Sequence, residues 1–194
     1  LIGELMYSSE NKKFRTAIGL RQTYITQLEE YLFEPRLQFN YSFSKSFFAE
    51  ILAERKSQVT SQIVDLQQDF LGVEKRRWIL ANNETIPVVK SNQVSVGFTF
   101  KKNNWLLTLD NFYKSVNGIT SMSQGFQNQL EFSRTNGKYT VIGSEFLIQK
   151  QLYNFTAWLS YTYTNNNYNF DSFSTNAFPN NYEINHNVGM ALIY

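Results

Sequence analysis

The stretch "NWLLTLDNFYKSVNGI", residues Asn104–Ile119, decides the fold, because it alternates like a β-strand but carries an unusual set of residues. Trp105 and Leu109 share one face, while the opposite face carries the carboxylate of Asp110. Aromatic residues stand near both ends of the stretch, at Trp105 and Tyr113. Neither helical spacing nor the continuous apolar run of a buried parallel strand explains this pattern.

The same period-two alternation recurs along the chain and predicts nine strands. Apolar faces occur at Leu37/Phe39/Tyr41/Phe43, Val94/Val96/Phe98/Phe100 and Phe155/Ala157/Leu159/Tyr161/Tyr163. The predicted strands are residues 1–8, 13–23, 35–44, 46–56, 92–101, 104–115, 138–149, 154–164 and 185–194. Most have the roughly 9–11 residues with which a tilted strand crosses a bilayer, whereas strands of soluble proteins peak near about 5–6 residues.

The predicted connections alternate between short and long. Short turns are expected near Ser9–Lys12, Ser44–Ser46, Lys102–Asn103 and Lys150–Tyr153, and long loops at 24–34, 57–91, 116–137 and 165–184. Two turn signals, Asn117-Gly118 and Asn136-Gly137, predict a small hairpin inside the 116–137 loop. Because this alternation is typical of outer-membrane proteins, the sequence predicts an all-β fold: an antiparallel transmembrane β-barrel segment with extracellular long loops and short periplasmic turns.

A membrane setting explains the opening stretch. Trp105 and Leu109 would face lipid, and Asp110 would point into a wet lumen where its carboxylate stays hydrated. Leu106 and Phe112 fit the lumen side poorly, which suggests that they contact something inside the lumen, such as a plug.

Composition excludes several classes of function. The chain has no cysteine, which rules out a disulfide framework and a thiol nucleophile and disfavours a structural zinc site. A net charge of +2 gives no reason to expect a nucleic-acid partner. His186 is the only histidine and is expected to be structural, so we predict no enzymatic activity, no metal and no cofactor. Each short turn carries or adjoins a lysine, as expected of solvated turns.

An ordered series of stretches resembles TonB-dependent outer-membrane receptors, particularly the large ones of the Bacteroidetes. The stretches are "GLRQTYI" (19–25), "EPRLQFNYSFSKS" (34–46), "RRWILANNETIPVVKSNQVSVGF" (76–98), "DNFYKSVNGI" (110–119), "GSEFLIQK" (143–150), "WLSYTYTNN" (158–166) and "FPNNYEINHNVGMALIY" (178–194). Each alone is a weak match, but their order and spacing together are more specific. The resemblance implies a 22-strand barrel of a Gram-negative outer membrane, an internal plug domain, and uptake of a scarce nutrient or metal chelate with energy from TonB.

The chain departs from that family by absence, since it contains neither a TonB box nor a plug. Residues 1–194 are therefore interpreted as part of the later half of a receptor barrel, with TonB contacting an N-terminal region outside this sequence. The expected partners are outer-membrane lipid, lipopolysaccharide, an unidentified small or oligomeric ligand, and in one alternative a surface-exposed protein.

The loop 165–184 is the strongest binding candidate, because it is rich in asparagine and aromatic residues. Such residues suit capture of a sugar, peptide or siderophore by stacking and amide hydrogen bonds. The predicted ligand-binding residues are Tyr168, Phe170, Phe173 and Tyr182. A loop that only shields the rim or contacts lipopolysaccharide explains the composition equally well. Two alternatives for the whole chain stay open: a structural or assembly subunit that reuses the receptor barrel, and a soluble β-sandwich adhesin.

Overall fold

The computed structural model describes residues 1–66, 74–82, 84–122, 135–172, 177–179 and 183–194. Its strands are β1 (Ile2–Ser8), β2 (Phe14–Ile25), β3 (Glu30–Ser42), β4 (Phe47–Gln58), β5 (Thr60–Leu66), β6 (Glu74–Leu80), β7 (Val89–Lys102), β8 (Trp105–Thr120), β9 (Asn136–Leu152), β10 (Phe155–Phe170) and β11 (His186–Ile193). No helix in the described ranges is long and apolar enough to cross a membrane.

Nine of the strands form one antiparallel sheet in the order β1-β2-β3-β4-β7-β8-β9-β10-β11. Apart from the step from β4 to β7, each strand pairs with the next one along the chain, as in a meander. The predictions of an all-β fold and of antiparallel pairing are confirmed, and the nine predicted strands correspond to the nine strands of this sheet, whereas β5 and β6 were not predicted. β1 and β11 are the two edges of this sheet.

Several strands run further than the alternation predicted. β8, β9 and β10 have 16, 17 and 16 residues, because pairing continues beyond the apolar segment into asparagine-rich sequence. The prediction of a long loop at 24–34 is wrong, since β2 and β3 stay paired up to Ile25 and Glu30. Only residues 26–29 connect them, so short and long connections do not alternate strictly.

The long connections also contain more structure than expected. Residues 57–91, predicted as a loop, include β5 and β6, which pair with each other in a separate two-stranded sheet. The two turn signals behind the small hairpin predicted within 116–137 do not form turns, because Asn117 pairs with Lys138 and Asn136 pairs with Thr120. Residues 123–134 of that predicted hairpin lie outside the described residues. Gly118 forms a bulge in β8 with a φ of 81°, and a Cβ at this position would lie 2.5 Å from the Val88 carbonyl oxygen.

Two of the hairpins at the opposite end of the sheet are closed by two-residue turns. Lys102 pairs with Trp105, and the intervening Asn103 and Asn104 have φ values of 50° and 63°. Positive φ at both central residues is the hallmark of a type I′ turn, whose twist matches that of the strands, and asparagine tolerates it. A second two-residue turn contains Tyr153, whose side chain is 97% exposed.

The two faces of the nine-stranded sheet differ in chemistry. One lateral row crosses eight strands as Phe14, Tyr41, Ala49, Phe98, Leu109, Phe146, Tyr161 and Val188. The row one residue away on the other side reads Arg15, Asn40, Glu50, Gly97, Asp110, Glu145, Thr162 and Asn187. We call these surfaces the apolar face and the polar face. The apolar face is open, since Phe98 and Leu109 are 36% and 40% exposed.

The buried apolar residues lie elsewhere, at the end of the sheet that carries the long connections, which we call the long-loop end. One cluster there joins Leu32, Ala81 and Val88 to the partly buried Ile25, Leu28 and Val59. A second cluster surrounds Phe170 with Ile119, Tyr168 and Phe178. Side chains that are fully packed in this fold therefore hold the long connections in place and do not fill a core beneath the sheet.

Candidate functional site

The predicted site at 165–184 starts on a strand, since Tyr168 and Phe170 belong to β10. The Tyr168 ring lies between two others, with its centroid 5.0 Å from that of Tyr139 and 6.3 Å from that of Phe178. The Tyr168 N–H donates to the Phe178 carbonyl at 2.9 Å, and the Phe178 N–H donates back at 3.0 Å. These two hydrogen bonds hold Phe178 against β10, five residues beyond Tyr163, where the pairing of β10 with β11 ends.

Phe170 and Tyr168 have different surroundings. Phe170 is 1% exposed, its ring stacks on Phe178 at 6.0 Å, and a Cβ on Gly137 would touch the ring at 2.6 Å. Phe170 therefore supports the cluster and offers no surface to a ligand, whereas half-buried Tyr168 keeps part of its side chain open. The other two predicted residues, Phe173 and Tyr182, lie outside the described residues.

A polar network adjoins this aromatic cluster. The Asn166 N–H donates to Glu183 Oε1, and the Asn166 Nδ2 donates to the Tyr168 hydroxyl at 3.1 Å. Asn185 Nδ2 donates to the Thr164 carbonyl at 2.9 Å and to the same Glu183 oxygen at 3.1 Å. The Asn166 Oδ1 is buried and accepts no hydrogen bond from the described residues. A ligand hydroxyl or amide N–H would satisfy this acceptor.

Sequence reasoning found the loop but missed Tyr139, which stands 29 positions before Tyr168. These two residues face each other only because the β9–β10 register places Tyr139 opposite Tyr168. Glu183 was likewise missed, since an isolated carboxylate in a polar loop has no distinguishing sequence signal.

The polar face holds a second concave surface, of about 570 Å³, lined in part by Arg21, Arg36, Gln38 and Glu54. Arg21 of this surface is held by Glu34, whose side chain is 1% exposed and accepts hydrogen bonds from Arg21 Nε and from the Ser57 N–H. Glu34 thereby closes the gap where the β3–β4 ladder stops at Arg36 and Glu54. With both charges and amide groups, this surface suits a polar or zwitterionic group.

Carboxylates line the middle of the polar face, as the sequence predicted for Asp110. Asp110 stands directly opposite Glu145 and leans over Gly97 toward Glu50, which accepts a hydrogen bond from Gln38 at 2.8 Å. Within the described residues, no group of three or more histidines and carboxylates is arranged to hold a metal ion.

The structure explains Phe112, one of the two apolar residues that fitted the polar face poorly. Its ring lies over Gly143 of the neighbouring strand, where a Cβ would collide with it. An aromatic ring covering a glycine across two strands is a local sheet-stabilising contact and needs no plug. Leu106, the other residue, lies between Lys101 and Gln149 in the ladder.

His186 lies on the apolar face and takes part in local packing. Its Nδ1 is 2.8 Å from the Tyr161 hydroxyl, and its ring centroid is 5.2 Å from that of Tyr163. A second polar pair lies in the same row, where the Ser144 hydroxyl donates to Asn111 Oδ1 at 2.7 Å. These contacts give the polar groups of the apolar face partners within the sheet.

Comparisons with protein families, with curated proteins and with solved structures give no match for this chain. The resemblance to TonB-dependent receptors therefore stays a prediction. The functional argument rests on the two faces of the sheet and on the groups gathered at its long-loop end.

Proposed function

We propose that the nine-stranded sheet is one wall of a transmembrane β-barrel in a Gram-negative outer membrane. The observation that carries this proposal is the contrast between an exposed apolar face and a charged polar face across the same strands. A barrel wall has this chemistry, because its outer surface contacts hydrocarbon while its inner surface contacts water. In this arrangement Leu109 and Phe98 face lipid, and Asp110 and Glu145 face the lumen.

Strand length supports the same proposal. At about 3.4 Å per residue and a tilt of about 45°, ten residues rise roughly 24 Å, which is close to the apolar band of an outer-membrane barrel. β8 has 16 residues and β9 has 17, so both would cross this band and extend several residues beyond it. The extensions lie at the long-loop end, where the packed clusters occur. We therefore place this end outside the cell.

We further propose that the barrel takes up a scarce nutrient or metal chelate, such as a siderophore, glycan or peptide, with energy from TonB. The support is chemical: Tyr139 and Tyr168 offer aromatic surface beside the unsatisfied Asn166 acceptor. Stacking combined with a few directed hydrogen bonds is a common means of holding such ligands. Tyr168 would contact the ligand, as predicted also for Phe173 and Tyr182, and Phe170 would hold the Tyr168 ring in place.

Single-cysteine labelling tests the membrane topology, because the chain has no cysteine of its own. Cysteines at Glu84 and Asp171, both exposed at the long-loop end, should react with an impermeant maleimide on intact cells. A cysteine at Asn103, in a short turn, should react only after the outer membrane is permeabilised. Equal labelling of all three on intact cells, or extraction of the protein without detergent, would rule out the proposed topology.

Uptake measurements test the transport role. The variant Tyr139→Ala/Tyr168→Ala should weaken ligand binding, because a stacked aromatic contributes about 0.5–1.5 kcal/mol beyond its buried area. Tyr24→Ala is the matched control, since Tyr24 is an exposed aromatic that stacks with Tyr31 on β2 and β3 at the same end of the sheet. Candidate siderophores, glycans and peptides are supplied in turn as the limiting nutrient. Unchanged uptake of every one in the double variant would remove this cluster from the site.

One observation favours the scaffold alternative, in which the barrel serves a protein assembly. The β5–β6 hairpin stands outside the main sheet and leaves Trp78 65% exposed, and tryptophan is enriched at binding hot spots. If Trp78→Ala releases a co-purifying protein while uptake is normal, the scaffold role is favoured. The adhesin alternative requires a second layer over the apolar face, and extraction without detergent would favour it.

A further inference from the structure

The end of the sheet that carries the two-residue turns concentrates positive charge. Residues 9–14, 41–49, 98–109, 146–161 and 188–194 form this end, and Glu10 is the only Asp or Glu among them. The cations there are Lys12, Lys13, Lys45, Lys101, Lys102 and Lys150. Because the net charge of the whole chain is only +2, the residues outside this end carry a net negative charge. A cation-rich rim of this kind attracts anionic surfaces.

Two of these lysines flank a tryptophan on the apolar face. Lys102 of β7, Trp105 of β8 and Lys150 of β9 stand side by side in one lateral row. At about 4.8 Å between neighbouring strands, the two lysine backbones are about 10 Å apart. The Lys150 Nζ lies 4.6 Å from the centre of the Trp105 ring and donates to the Asn103 carbonyl at 2.9 Å.

The row lies at a sharp boundary between polar and apolar chemistry. The next row of the apolar face consists of Phe100, Leu107 and Ile148, with no polar side chain among them. On the other side lies the Asn103–Asn104 turn, whose backbone is fixed by two positive φ values. A lipid molecule presents the same order of chemistry, from acyl chains through carbonyl groups to a phosphate. Trp105, 39% exposed, lies at this boundary, and indole rings at such boundaries anchor to headgroups in membrane proteins.

We propose that Lys102, Trp105 and Lys150 bind the phosphodiester headgroup of an anionic glycerophospholipid in the leaflet that meets the short turns. The two ammonium groups would flank the phosphate as point charges, and the indole N–H would face the ester region. The acyl chains would lie against Phe100, Leu107 and Ile148. This site rests on the proposed membrane function, because it requires the apolar face to contact lipid.

Quenching of Trp105 fluorescence by brominated lipids tests the site directly. Trp78→Phe and Trp158→Phe leave Trp105 as the single reporter in the purified protein, which is reconstituted into phosphatidylcholine bilayers. Brominated phosphatidylglycerol or brominated phosphatidylcholine is then titrated as a minor component. We expect brominated phosphatidylglycerol to bind about 25-fold more tightly, since each of the two lysines adds about a fivefold preference for anionic lipid near a membrane surface.

Two double variants separate this site from general charge. Lys102→Gln/Lys150→Gln should bring the preference close to one. Lys101→Gln/Lys114→Gln removes the same charge from the polar face of β7 and β8 and should leave the preference unchanged. Inorganic phosphate and glycerophosphate at millimolar concentration should not compete, because they lack acyl chains. Competition by either one would reassign the site to a free phosphate.

The outcomes distinguish this proposal from the one on which it rests. If both brominated lipids quench Trp105 equally, the chain contacts lipid but the headgroup site is wrong. If neither lipid quenches Trp105, the apolar face does not meet a bilayer, and both proposals fail. A control variant that loses the preference as fully as Lys102→Gln/Lys150→Gln would also overturn the site, since diffuse charge would then account for the result.

Discussion

The long-loop end and the body of the sheet treat apolar side chains in opposite ways. At the long-loop end, Leu32, Val88 and Phe170 are 5%, 5% and 1% exposed. In the body of the sheet, Phe98 and Leu109 are 36% and 40% exposed, although their strands are fully paired. The two regions therefore differ in whether their apolar side chains are buried or exposed. Where the connections meet water, apolar groups are packed away, and where the strands would meet lipid, they are displayed.

The difference also determines which contacts stabilise each region. At the long-loop end the loss of a buried ring should leave a cavity, because neighbouring side chains enclose it. In the body of the sheet the strands are held by backbone ladders, and the proposed membrane setting would require the apolar face to be compatible with hydrocarbon. Substitutions in the two regions should therefore fail for different physical reasons, and four comparisons separate them.

The largest effect is expected for Phe170→Ala, at the long-loop end. Removing a ring that is 1% exposed should cost about 3–5 kcal/mol in the free energy of unfolding. Phe155→Ala is the control, since that ring is 44% exposed at the other end of the sheet and encloses no comparable volume. Chemical denaturation of the purified protein measures both. Equal losses would show that Phe170 does not hold a packed cluster.

The next effect is expected in the body of the sheet, for Leu109→Arg. Placing a charge at the middle of a lipid-facing surface should cost about 2–4 kcal/mol in the bilayer, whereas Thr108→Arg on the polar face should cost much less. The two positions are neighbours on β8, so strand propensity and distance from the turns are matched. Unfolding from lipid bilayers gives both values. If Thr108→Arg is the more costly change, the assignment of the two faces is inverted.

Much of this contrast could be predicted from the sequence, because period-two alternation is a local property. The faces of Leu109 and Asp110 follow from their spacing alone. The extent of β10 does not, since Tyr168 and Phe170 lie in sequence that resembles a loop and are ordered by pairing with β9. Tertiary pairing there overrides weak strand propensity, as expected for residues whose β preference depends on their neighbours.

The structural roles of Gly118 and Gly143 could not be predicted from the sequence either. The Asn117-Gly118 pair carries an ordinary hairpin signal, but Gly118 serves a bulge because Val88 approaches it closely. Phe112 was expected to contact a plug, but its ring covers Gly143, which stands 31 positions later. Such contacts become visible only once the register is known. The β5–β6 hairpin was missed because both strands are only seven residues long and the charges of β6, from Glu74 to Arg77, fall on both sides of the alternation.

Two glycines of the polar face allow a smaller comparison within the sheet body. A Cβ at Gly143 would lie 2.7 Å from the Tyr163 carbonyl oxygen, and since backbone cannot move away, Gly143→Ala should cost about 1–3 kcal/mol. A Cβ at Gly97 would meet the Asp110 carboxylate, which can rotate aside. Gly97→Ala should therefore cost under about 1 kcal/mol. Equal losses in denaturation would mean that the Asp110 side chain is as firmly held as the Tyr163 backbone.

The smallest effect concerns one hydroxyl hydrogen bond in each region. Ser144→Ala removes the 2.7 Å bond to Asn111 on the apolar face and should cost about 0.6 kcal/mol, the mean for side-chain hydrogen bonds inside a membrane. Ser172→Ala removes the 2.8 Å bond to Thr135 at the long-loop end, where the Thr135 Oγ1 still accepts from the residue-172 N–H at 3.2 Å, so its cost should stay within about 0.5 kcal/mol.

The double variant Asn111→Leu/Ser144→Ala sharpens this last comparison. Because it removes donor and acceptor together, no polar group is left without a partner on the apolar face, and stability should return to the wild-type value or exceed it in a bilayer. If the apolar face met water and not lipid, the double variant would instead lose solubility and gain no stability. Unfolding measured in lipid bilayers decides between these results. A double variant less stable than Ser144→Ala alone would mean that Asn111 has a polar partner beyond this sheet.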